Sequence, residues 1–191
     1  FLSKDDTKHE ERSCIILRYI IKKYKIGIDE EQINIIINMI NPCDNFRQSY
    51  LYSIISNSRN SLDVDKIDYI QRDIYMTGLE YGYKHSRLFK MCKVIDNDIC
   101  FHKKEAFNIN ELFHLRYNLH KQIYNHKTVK AYEYMISDIL ILLDPIMNIK
   151  KNLDNPSYFC NITDNILDII YFIPDKQNSN INKAKKILDR M

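Results

Sequence analysis

Between Asp63 and Asp73 the chain reads Asp-Val-Asp-Lys-Ile-Asp-Tyr-Ile-Gln-Arg-Asp, and isoleucine recurs at positions 67, 70 and 74. Spacing by three and four residues is the period of a helix that buries one stripe. On such a helix Asp65, Lys66, Tyr69 and Asp73 fall within about 100° of one another, away from the isoleucines. The stretch therefore presents carboxylates, an ammonium and a phenol together, a face suited to a metal ion and a phosphate-rich ligand. Solvated helix faces use the same residue types, so the stretch alone does not decide between the two.

The rest of the chain offers few places to turn. Only three glycines and four prolines punctuate 191 residues, 45% of them apolar, which predicts an all-α bundle and not a glycine-punctuated sheet sandwich. Helices are expected over 9–23, over about 30–39 behind a capping box at Asp29-Glu30-Glu31-Gln32, near 49–57, and over 64–77. Further ones are expected over 86–93, from a capping box at Asn108–Glu111 to His126, over 129–143, 163–171 and 182–191. A short hairpin near 94–102 is the one candidate for strand, and residues 1–7, the loop with Arg47, 146–159 and 174–180 read as irregular. Phe1 stands where a complete chain would carry methionine, which suggests a fragment.

A formal net charge of +3 is compatible with a phosphorylated ligand but too small to mark a nucleic-acid binder. Cys14, Cys43, Cys92, Cys100 and Cys160 are odd in number and scattered, as reduced intracellular thiols are, and not spaced as a disulfide frame or zinc site. No apolar run approaches the roughly 18 residues of a membrane span, so no membrane partner is expected. The sequon at Asn161-Ile162-Thr163 is discounted because nothing resembles a signal peptide. An intracellular location, nucleus or cytoplasm, follows.

Arg116, His120 and Tyr124 stand at i, i+4 and i+8 and make a second polar stripe, with Asn125 and His126 at its end. Arginine offers a fork of donors for phosphate oxygens, histidine can donate to a phosphate or move a proton, and tyrosine can stack or donate. One stripe supplies carboxylate and ammonium, the other guanidinium and imidazole, which is the combination hydrolysis of a nucleoside polyphosphate requires. His9-Glu10 adds a proton donor beside a carboxylate. Lys103, Lys104, Lys121, Lys127 and Lys130 form a modest basic cluster. There is no phosphate-cradling glycine loop, H-E-x-x-H, C-x-x-C or nucleophile elbow.

The run Asn57-Ser58-Arg59-Asn60-Ser61-Leu62 leading into Asp63–Asp73 resembles a segment of the SAM-and-HD-domain deoxynucleoside triphosphate triphosphohydrolases, a group related to bacterial dGTPases. Phe113–Lys127 resembles that family's arginine–histidine–tyrosine helix, and Ile162–Ile166 with Lys183–Leu188 its later helical region. The likeness runs from about Thr7 to the chain end.

The resemblance implies an HD-domain-like helical bundle. Residues 1–145 would be a partial HD-type phosphohydrolase domain lacking its N-terminal helices, and 146–191 a C-terminal helical extension of the same unit. It implies Asp65 as a metal ligand, Lys66, Tyr69, Asp73, Arg116, His120, Tyr124 and Asn125 around triphosphate and sugar, and His9 with Glu10 in proton transfer to the leaving nucleoside. Arg87, His126 and Lys127 would bind a regulatory nucleotide, GTP or a dNTP, in a homo-oligomer. A divalent metal (Zn, Fe, Mn or Mg) belongs to the complete domain. The family's defining histidine and His–Asp pair lie upstream of its His–Glu motif, so this chain by itself should lack most ligands. A non-catalytic nucleotide-sensing or subunit-interaction domain and a single-stranded nucleic-acid binder are the alternative readings.

Overall fold

The structure, a computed structural model, describes residues 8–42, 49–174 and 179–191. The expected irregular segment 1–7, Cys43, the loop carrying Arg47 and part of the expected loop 174–180 lie outside them. Among the described residues helices dominate, with one small hairpin. The packing divides the chain into two units, Ile28–His126, and the described part of 1–27 with Lys127–Met191.

In the first of these, α2 (Glu30–Ile40) opens on the capping box read from sequence. Asp29 Oδ1 accepts from the Gln32 amide at 2.8 Å, and Gln32 Oε1 accepts from the Asp29 amide at 3.3 Å. The helix expected near 49–57 is only a 3-10 turn, Tyr50–Ser53. Then α3 (Val64–Thr77) runs from its N-cap Asp63 to Gly78, which stops it at φ 68°. Ile67, Ile70 and Ile74 are buried, as their spacing requires, and pack with Leu62, Leu88, Leu112, Leu115 and Leu119.

After α4 (His85–Lys90), strands β1 (Cys92–Ile95) and β2 (Asp98–Phe101) pair antiparallel with Cys92 opposite Phe101. Asp96 and Asn97 turn the hairpin with φ of 49° and 61°, the pair of left-handed residues that a two-residue turn needs to match strand twist.

The capping box expected at Asn108–Glu111 does not form. His102 Nδ1 accepts from the Lys104 amide at 3.1 Å, and a 3-10 turn at Lys103–Glu105 leads directly into α5 (Ala106–Leu119). Asn108 instead donates to Glu105 Oε2 at 3.1 Å. The aromatic ring two residues ahead satisfies the orphan amide, and the helix starts earlier than the Asn–Glu pattern marks.

The second unit holds α1 (His9–Tyr24), α6 (Lys127–Met147), α7 (Pro156–Phe159), α8 (Ile166–Phe172) and α9 (Ser179–Leu188). Ile139, Leu143, Ile149, Leu153, Ile166, Ile170, Ile181 and Ala184 form its core. The sequence predicts that α6 ends at Asp144-Pro145, yet the helix passes through Pro145 to Met147. Proline in the last turn removes only one helical donor, and Asn148, at φ 53°, closes the helix by donating to the Asp144 carbonyl at 2.7 Å. Among the described residues no helix is long and apolar enough to cross a membrane.

Candidate functional site

The two polar stripes read from sequence meet in the structure. Arg116 Nε on α5 donates to the Tyr69 hydroxyl on α3 at 3.0 Å. Tyr124 donates a short hydrogen bond to Asp73 Oδ2. Both contacts advance in the same sense along the two segments, above the interlocked isoleucines and leucines that fix the pair. Burial, with the bond to Asp73 and its charge, pushes the Tyr124 pKa well above that of an ordinary phenol, so Tyr124 is a donor throughout the neutral range.

The downstream stripe is not the straight α-helical one its spacing implies. From His120 to Tyr124 the chain forms a π turn, with the Asn125 amide donating to the His120 carbonyl at 3.0 Å. His120 and Tyr124 lie edge to face with ring centroids 4.9 Å apart. Wide turns of this kind recur at functional sites, and no glycine or proline in His120-Lys121-Gln122-Ile123-Tyr124 announces this one.

Arg116 is half-buried, and among the described residues no carboxylate pairs with it. The other described arginines of this unit are committed: Arg59 to Asp98 at 2.6 Å, Arg72 to Asp68 at 3.3 Å, and Arg87 to Glu105 at 2.8 Å. Lys66, expected beside phosphates, holds its ammonium 2.8 Å from Asp63 Oδ2 and is only 19% exposed.

Asp63, to which sequence reasoning gave no role, organises the loop before α3. Its Oδ1 accepts from the Lys66 amide at 3.0 Å, while Oδ2 accepts from the Asn57 amide at 3.0 Å and from the Lys66 ammonium. Asn57 in turn bonds the Leu62 carbonyl and the Arg59 amide. The signal available was an aspartate directly before a helical run, the ordinary mark of an N-cap.

Asp65 stands exposed on the first turn of α3, one turn ahead of Tyr69. Among the described residues no three His, Cys, Asp or Glu side chains converge on one point. A lone exposed carboxylate does not fit a resident metal, which needs three or four protein ligands. His9 and Glu10 open α1 in the other unit, with Nε2 and Oε1 3.1 Å apart and the imidazole 87% exposed. Asn125 and His126 are exposed after the π turn, and Lys127 begins α6. Within the basic cluster Lys130 is paired with Glu133 at 2.7 Å.

Arg87, itself exposed, belongs to a separate group around a buried carboxylate. Glu105 is 0% exposed, and the guanidinium lies 2.8 Å from Oε1 but off the line of a hydrogen bond, so the contact is ionic. Nearby, the buried Tyr83 hydroxyl has no hydrogen-bond partner among the described residues. Burial, assisted by the Glu105 charge, raises the Tyr83 pKa to about 12. A pKa raised on folding stabilises the protein below the unfolded value of 10.0, and that contribution is lost as pH rises through about 12. Tyr83→Phe should therefore flatten the alkaline loss of stability between these limits. At neutral pH it should leave stability unchanged or higher by about 1 kcal/mol, since it removes an unpaired buried hydroxyl. Urea unfolding at a series of alkaline pH values measures both.

No family model matches the chain. It is 38% identical over 184 residues to the deoxynucleoside triphosphate triphosphohydrolase SAMHD1 homolog of Dictyostelium discoideum, an alignment covering 94% of this chain and 35% of that protein. A protein of Acanthamoeba polyphaga mimivirus named for an HD domain is 38% identical over 160 residues, covering 82% and 35%. The deoxynucleoside triphosphate triphosphohydrolase SAMHD1 of Homo sapiens is 34% identical over 159 residues, covering 75% and 25%. The chain thus spans between 25% and 35% of the length of these relatives.

Proposed function

For a chain that belongs, by homology over most of its length, to the SAMHD1 and HD-domain deoxynucleoside triphosphate triphosphohydrolase family, we propose that α3 and α5 carry the phosphate- and sugar-binding face of a dNTP triphosphohydrolase. The reaction is addition of water to a dNTP to give deoxynucleoside and inorganic triphosphate. Arg116 holds the phosphates. Tyr69 and Asp73 orient Arg116 and Tyr124, and Tyr124, His120 and Asn125 line the sugar. Lys66 contributes from beside Asp63, and His9, positioned with Glu10, protonates the leaving nucleoside oxygen. Asp65 serves a metal only together with ligands beyond the described residues, and Arg87, His126 and Lys127 contribute to a regulatory nucleotide contact.

One observation carries this reading: a half-buried guanidinium, aimed by a neutral phenol and left without a carboxylate among the described residues. An unneutralised cation in a partly desolvated setting is costly unless an anion completes it, and the guanidinium fork matches phosphate oxygens. Removing it should weaken dNTP binding by about 10- to 100-fold, the worth of one or two charge-assisted hydrogen bonds. Calorimetric titration of the chain and of Arg116→Ala with dATP and with inorganic triphosphate measures this, with Arg116→Lys expected in between. Equal affinity of the alanine variant and the unaltered chain would refute the assignment. Tighter binding of a single-stranded oligonucleotide than of any dNTP would favour the nucleic-acid reading.

A further inference from the structure

Where the β1–β2 hairpin faces the start of α3 there is a cavity of about 190 Å³. Ile54, Leu62, Ile67, Phe89, Ile99 and Phe101 form its wall, and Cys92 borders it. Ser53 and Val64 also line it, and two of the polar side chains there are already bonded. Both oxygens of Asp63, which also borders the cavity, accept bonds from Lys66 and Asn57, and Cys92 Sγ donates to the Phe89 carbonyl at 3.2 Å.

The site opens to solvent on one side, where Phe89 is 44% and Val64 39% exposed, but its surface is overwhelmingly apolar and gives an ordered water few partners. An engineered cavity of roughly 150 Å³ walled by leucine, isoleucine and phenylalanine in another protein stays dry and takes up benzene. The site here is of similar size and lining, although open on one side, and it is too small and too apolar for a nucleoside triphosphate. We propose that it is a binding site for a small neutral aromatic molecule, between benzene and indole in size, lodged between the hairpin and the first turn of α3. Branched aliphatic walls supply dispersion contacts, and Phe89 and Phe101 supply ring edges or faces for offset or T-shaped stacking. Occupancy fastens the hairpin to the helix start that Asp63 caps. The proposal stands apart from the dNTP reading, because its residues and its ligand chemistry are different.

Indole is the probe, added to the whole 191-residue chain. At ten times its dissociation constant it should raise Tm by about 4 °C, since only the folded state binds it. Alkylation of Cys92 by iodoacetamide, followed by peptide mass spectrometry, should slow about tenfold at that occupancy. The exposed Cys160 should react at an unchanged rate. Benzoate, of similar shape but charged, should do neither, because its carboxylate would be buried unpaired. Cys92→Phe places a ring in the cavity and should abolish the Tm shift while preserving the far-UV circular dichroism. A folded Cys92→Phe protein that still gives the full shift would overturn the proposal. Were that variant not to fold, the alkylation rate in the unaltered chain decides: an unchanged Cys92 rate at saturating indole overturns the proposal by itself.

Discussion

Asp63→Ala should lower the stability of the chain by about 3–5 kcal/mol, with a fall in Tm on the order of 10 °C. Three losses combine. The N-cap of α3 goes, worth about 1 kcal/mol. The Asn57 amide, in a residue 5% exposed, loses its acceptor, which costs about 1–3 kcal/mol for a buried donor. Lys66, 19% exposed, loses the carboxylate that neutralises it, and breaking such a pair costs more than forming it gains. Asp63→Asn keeps a capping oxygen but not the charge and should cost about half as much. Urea denaturation with an unchanged m-value checks the ranking. If the alanine variant loses less than about 1 kcal/mol, the loop before α3 is held by something other than this carboxylate.

Arg87→Ala should be comparably damaging, by about 3–5 kcal/mol, because it leaves the fully buried Glu105 carboxylate without its cation. The reverse change should be mild. Arg87 is 60% exposed and can return to water, so Glu105→Leu, which fills the same space without a charge, should cost about 1 kcal/mol or less. The double variant Arg87→Ala/Glu105→Leu should then recover most of the loss, a coupling of about 2 kcal/mol or more in a double-mutant cycle. Additive effects of the two changes would show that the pair does not act as a unit. The result also bears on the proposed regulatory role of Arg87: a guanidinium that holds a buried carboxylate contributes to a nucleotide contact only through donors that Glu105 leaves unused.

Much of the fold was legible because it depends on neighbours in the chain. Isoleucines at 67, 70 and 74 could face only one way on a helix, and they are buried. Asp29 and Gln32 sit three residues apart and cap α2 as that spacing dictates. Asp96-Asn97 between two short apolar runs makes a hairpin. Where a local pattern met a competitor it misled. Asn108–Glu111 has the pattern of a cap but sits inside α5, since His102 and a 3-10 turn had already begun the helix. Pro145 breaks nothing because it falls in the last turn of α6.

The candidate site divides along the same line. By itself the sequence determined that Asp65, Tyr69 and Asp73 share one side of a helix and that Arg116 lies on another helix with His120 close behind, because a 3.6-residue period follows from backbone geometry alone. Only the tertiary structure decided which of these groups is already spoken for. Lys66 turned to Asp63, Arg87 went to Glu105, the π turn reset Tyr124 toward Asp73, and Arg116 took a neutral phenol 47 residues away. A side chain's choice of partner is a competition among all groups within a few ångströms, and residues that meet across tens of positions leave no mark of that meeting in the order of the chain.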